Sequence, residues 1–157
     1  MSANLGQQIL DTWNINNRIN IYMLKAIPKE ALNDMSASKG RNVAEQFAHI
    51  HNVRLMWLKS AAPELMEGLT KIEKEPGVDH NLLERSLTES GKAIEELLKK
   101  GLREGKIKGF KPHLPAFLGY IISHDSQHRG QIALALKQSK HSLDKKVSFG
   151  IWEWGVR

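Results

Sequence analysis

The chain contains no cysteine. That excludes disulfides and cysteine-ligated zinc, and any thiol chemistry must use a sulfur brought from outside. Aromatic residues are few: two tyrosines and four phenylalanines give no obvious platform for stacking nucleic-acid bases. No apolar run reaches bilayer-spanning length. The opening residues, Met-Ser-Ala-Asn-Leu-Gly-Gln-Gln, lack the charged and apolar regions of a signal peptide. A cytoplasmic protein with no membrane partner is the expectation. Hairpin signals and internal repeats are also missing.

What is present is ordinary for one globular unit. The 157 residues are 41% hydrophobic and 25% charged, enough for a single core and short for two, so one domain over 1–157 is expected. The net charge of +6 raises the question of nucleic acid. Much of the excess lies in Lys92, Lys99, Lys100, Arg103, Lys106, Lys108 and Lys111, interleaved with Glu95, Glu96 and Glu104. That mixture reads as a solvated helix face and loop (Lys99–Lys111) rather than a phosphate-binding site, so nucleic acid is not the expected partner.

Apolar periodicity predicts four helices and an all-α bundle. The first runs from Ala3 or Asn4 to Lys25, ahead of Pro28, with Leu5, Ile9, Trp13 and Leu24 on its buried stripe. Asn16, Asn17 and Asn20 interrupt that stripe. They either bond across the bundle or line a polar pocket. Asp34–Arg41 reads as a loop, and the second helix runs from Asn42 to about Ser60. The stretch from Pro63 to Val78 is mixed. Asp79 is the expected N-cap of the third helix, closed near Lys100 by Gly101. Pro112 or His113 opens the fourth, which ends near Gln138. The tail from Val147 to Arg157 carries two tryptophans and should pack on the bundle or on a second subunit.

Within the fourth helix lies His124-Asp-Ser-Gln-His128-Arg-Gly-Gln131. Histidines four apart lie about 40° apart on one helical face and can aim neutral nitrogens at one cation. On the second helix His49 shares a stripe with Val53 and Met56, which the periodicity places on the buried side. His51 points the other way, beside Arg54. A bundle core could bring His49 to His124 and His128, walled by Val53, Met56, Phe117 and Ile121. Three imidazoles suit zinc, nickel or iron(II) and leave a coordination position open. The competing reading is of three core histidines with satisfied hydrogen bonds. His80, His113 and His141 read as exposed and incidental.

Phe-Ala-His49 with the following Leu-Met-Trp57-Leu, the His124–Gln131 motif and the tryptophan-bearing tail together resemble the DinB-like family over nearly the whole chain. The resemblance implies a four-helix bundle with crossed connections, a divalent metal on His49, His124 and His128, and a homodimer. Characterised members include bacillithiol transferases and a mycothiol-dependent maleylpyruvate isomerase. A metal-dependent thiol transferase or hydrolase acting on a small electrophilic substrate is therefore the expected function, with a low-molecular-weight thiol as a cofactor. The alternative is a non-catalytic metal-binding stress-response protein.

A coordinated thiol would lose its proton and attack the electrophile. Asn16, Asn17, Asn20 and Glu45 are the candidates to orient substrate or ligands. On the fourth helix Gln131, about 20° from His124, is preferred as a partner for the ligating rings over Asp125, which points about 100° away.

Overall fold

A computed structural model describes residues 4–157, so Met1–Ala3, including the alternative helix start at Ala3, lie outside the described residues. The fold is all-helical: α1 (Leu5–Lys25), α2 (Val43–Ala61), α3 (His80–Glu104), α4 (Leu114–Gln138) and a short α5 (Lys145–Gly150). Among the described residues no helix is long and apolar enough to cross a membrane. Four helices were expected; the fifth is a turn and a half inside the tail, too short for its periodicity to register.

Caps explain most boundaries. Asn4 caps α1 by accepting from the Gly6 amide. Asn42 and Glu45 form a reciprocal capping box at α2. Asp79 and His113 cap α3 and α4 with their side chains. The expected stop at Gly101 is wrong. α3 runs one turn further and closes at Gly105, whose φ of 76° suits glycine. Gly101 is glycine for packing: a Cβ there would sit 2.6 Å from the Cδ1 atoms of both Ile107 and Leu114.

α1 packs on α3 and α4, and α2 packs on the same two. The consecutive helices α1 and α2 therefore lie across a diagonal, and their long polar connection crosses one end of the bundle. Two apolar clusters fill the interior. One gathers Met23, Leu24, Val43, Phe47, Leu87, Ile132 and Leu136. The other gathers Trp13, Leu58, Ile94, Leu98, Phe117 and Ile121. Near the middle of each long helix, where the two clusters meet, stand buried polar residues: Asn16, Asn17 and Asn20 on α1, His51 and Arg54 on α2, Ser86 and Ser90 on α3, Asp125 and Arg129 on α4. A polar layer thus crosses the core at mid-height.

That layer tolerates no added volume. A Cβ at Gly91 would lie 2.3 Å from Asn17 Nδ2, whose amide donates to the Leu87 carbonyl at 3.1 Å. Gly119 faces open space. Gly119→Ala should therefore raise stability by about 0.5–1 kcal/mol through helix propensity alone. Gly91→Ala, the same change in the same kind of element, should lower it by about 1–3 kcal/mol. Urea unfolding of both variants checks the pair; equal signs would contradict the packing described.

Candidate metal centre

His49 on α2 and His124 and His128 on α4 converge. One ligand nitrogen from each lies within 4.8 Å of the others, and no fourth His, Asp or Glu joins the group among the described residues. The ring centroids are 5.3, 4.7 and 4.5 Å apart. Nitrogens on one tetrahedral ion stand about 3.4 Å apart, and small ring rotations close the difference.

One of the three rings is held from behind by a hydrogen bond. His128 Nδ1 meets Gln46 Oε1 at 2.5 Å, which makes Nδ1 the donor and leaves Nε2 as the lone-pair nitrogen. His124 Nδ1 faces Asp125 Oδ1 at 3.8 Å. Both atoms are buried and neither has a hydrogen-bond partner among the described residues. A modest shift of His124 toward Asp125 joins the two orphans and presents its other nitrogen outward. Such an arrangement fits a divalent ion: two rings have an acceptor or carboxylate behind one nitrogen while the other remains free.

Asp125 is the hub of the polar layer. Its Oδ2 accepts from Asn16 Nδ2 at 2.8 Å, Asn20 Nδ2 at 2.9 Å and Arg54 Nη2 at 2.9 Å. Arg129 Nη1 in turn donates to the Oδ1 atoms of Asn16 and Asn20 at 2.9 and 2.6 Å. Arg54 also donates to the Leu87 carbonyl and Ser90, and lies 4.8 Å from the Trp13 ring centroid. Burial opposes ionisation of Asp125. The Arg54 guanidinium and the amide donors outweigh it and hold the carboxyl at about 2.

Several sequence expectations need correcting. Gln131 is exposed on the outer side of α4, so it is not the partner of the ligating rings; Asp125 and Gln46 are placed for that. For Asn16 and Asn20 the alternative of bonds across the bundle holds: both donate to Asp125. Asn17 bonds to α3. Glu45 closes the capping box, pairs with Lys74 at 3.5 Å and lines the cleft that His49 borders; among the described residues it makes no hydrogen bond to a ligand ring.

The burial of α2 is also reversed. His51, expected to point aside, is 1% exposed and sits between the Ser86 and Thr70 carbonyls, whereas Met56 is 54% exposed and His49 half-buried. α2 buries its Ile50–Arg54–Leu58 side against α3, so the centre sits at the α2/α4 edge rather than in the core. His113 and His141 are exposed as expected; His80 is half-buried and bonds the Ile27 carbonyl. Lys99 and Lys100 of the basic stretch pair with Glu95, Glu96 and Glu64.

Burial and neighbouring charge favour the neutral forms of His49 and His128. Burial, then Arg41 and His124, lower His49 below its usual value. Burial, then the His124 and His49 neighbours, push His128 down to about 4. Unfolding restores both to about 6.5, so the unfolded chain binds protons that the folded chain refuses. Their stabilisation is complete above pH of about 6.5 and is lost as pH falls toward the folded value of about 4 for His128. Asp125 contributes only to losses further down, toward about 2. The urea midpoint of metal-free protein should therefore drop between pH 6.5 and 4.5 (about two units). A flat midpoint would contradict neutral His49 and His128.

Beside the triad opens a cleft of about 640 Å³ between the first turns of α2 and the connector at 71–78, with His49 on its wall. No curated protein and no solved structure matches the chain. The DinB family model matches residues 1–141, which include all four long helices and all three converging histidines. By that match the chain belongs to the DinB family.

Proposed function

We propose that this protein is a divalent-metal enzyme that joins a small thiol to an electrophilic substrate, working in the cytoplasm as a homodimer. The observation that carries the reading is a three-imidazole group with no fourth ligand among the described residues, one of whose rings lines a ligand-sized cleft. Zinc and nickel suit the donor set best, and iron(II) is compatible. When bound, the ion supplies a position at which a thiol or water loses its proton near neutral pH.

The chain supplies the rest. Gln46 holds His128, Asp125 stands behind His124, and Arg54, Asn16 and Asn20 fix Asp125. These contacts pre-set the direction of His128 and fix the carboxylate toward which His124 can turn. The cleft receives the electrophile. In the reaction a carbon–sulfur bond forms, the leaving group departs from the electrophile, and the thiol proton passes to solvent. Phe149, Trp152 and Val156, exposed together on the tail, support a dimer contact.

Protein purified without a histidine tag, loaded with metal and mixed with a panel of small thiols and a chloronitrobenzene tests the reading. Metal-dependent thioether formation, abolished in a folded His124→Ala variant, is expected. Full metal loading with no acceleration by any thiol would overturn the transferase reading and leave a non-catalytic metal binder.

A further inference from the structure

The cleft beside His49 has a floor and a charged wall. Asn52 holds the connector to α2 through a reciprocal pair, Nδ2 to the Ile72 carbonyl at 2.9 Å and the Ile72 amide to Oδ1 at 2.9 Å. His51 holds the Thr70 carbonyl one step earlier at 2.8 Å. The floor is therefore tied to the rigid helix before any ligand binds.

Of the cations on the wall, Lys71 pairs with Glu73 at 3.3 Å and Lys74 with Glu45 at 3.5 Å. Arg41 lines the same cleft and makes no ion pair among the described residues. It stands one residue before the Asn42 cap of α2, on a turn where Lys39 and Gly40 both have positive φ. Arg41 is exposed and lines the same cleft as His49, so the guanidinium and one of the three imidazoles border a common space. Glu75 also lines the wall, on the connector side. Counting Arg41, Lys71, Lys74, Glu45, Glu73 and Glu75, the wall is neutral overall, so the cleft offers one localised cation rather than a general basic field.

We infer that Arg41 anchors a carboxylate of the substrate or thiol, so that the ligand of this cleft is an anionic molecule bound at one end by the guanidinium and at the other by the metal centre. The inference rests on the metal-dependent reading above and adds the charge class of what binds. A guanidinium offers two parallel N–H donors to a carboxylate, a geometry a lysine cannot reproduce.

The test uses the full chain loaded with cobalt(II), whose visible spectrum reports a ligand entering the coordination sphere. Two chelating probes are compared: acetohydroxamate, and the monohydroxamate of succinate, which adds a carboxylate. With the wild-type chain the carboxylate-bearing probe should bind about tenfold tighter. In Arg41→Ala that preference should vanish while acetohydroxamate affinity stays within about twofold, and Arg41→Lys should restore only part of it. A carboxylate preference that survives Arg41→Ala, or none in the wild type, would overturn the inference while leaving the metal reading intact. Failure to take up cobalt would overturn both.

Discussion

Arg54→Met is expected to lower the unfolding free energy by about 3–5 kcal/mol at neutral pH. Arg54 is fully buried, and its Nη2 lies 2.9 Å from Asp125 Oδ2, itself fully buried. Methionine fills much of the same volume and keeps the contact with Trp13, so the loss reports the abandoned charge rather than a cavity. Asn16 and Asn20 still donate to Asp125, but amides do not neutralise it, and Arg129 bonds their oxygens rather than the carboxylate itself. The carboxyl of the variant should therefore ionise at a higher pH than in the wild type. It follows that the deficit shrinks as pH falls and the variant's Asp125 takes up its proton. Urea unfolding across pH 7 to 4 (a span of about three units) measures both effects. A loss below about 1 kcal/mol at neutral pH would mean that Asp125 is not an isolated buried anion without Arg54.

His128→Ala should abolish stoichiometric metal binding. Wild-type protein is expected to hold about one divalent ion per chain, and the variant to bind more than about 100-fold more weakly, because even outer partners of a ligand contribute roughly 10–100-fold. His128 is the most buried of the three imidazoles, and Gln46 bonds its Nδ1 at 2.5 Å. Gln46→Ala should accordingly fall between wild type and His128→Ala, with the ligand present but its ring free to turn. Elemental analysis and competition with a chromophoric chelator give both numbers. Circular dichroism of the variants confirms that the bundle persists. Wild-type affinity in His128→Ala would place any metal elsewhere.

Much of this protein can be read from local rules. Asn42, Asp79 and His113 announce the starts of α2, α3 and α4 because a capping side chain needs only the next three residues to act. The pair His124 and His128 is visible because four residues make one helical turn. His49 does converge with His124 and His128, but its stripe is the open edge of α2, and the polar stripe of His51 and Arg54 is the buried one. Periodicity reports that two faces differ. It does not say which face a neighbour covers when one of them buries charge.

Asp125 and Gln131 show the same limit. On an isolated helix Gln131 is closer in angle to His124, and Asp125 points aside. In the bundle that side direction leads toward α1 and α2, where Asn16, Asn20 and Arg54 wait, while Gln131 meets solvent. Gly101 reads as a helix stop until Ile107 and Leu114 close over it.

From sequence alone came the helical class, the caps, the absence of cysteine chemistry and the pairing of His124 with His128 on one helical face. Each depends on residue type and on separations within one helix. Tertiary packing alone decided that α1 and α2 lie diagonally, that a polar layer with Asp125 at its centre stands behind the imidazoles, and that a cleft with Arg41 on its wall opens beside His49. Those features join residues tens of positions apart. A buried charge is stable only where several helices meet to satisfy it, and no single helix carries that information.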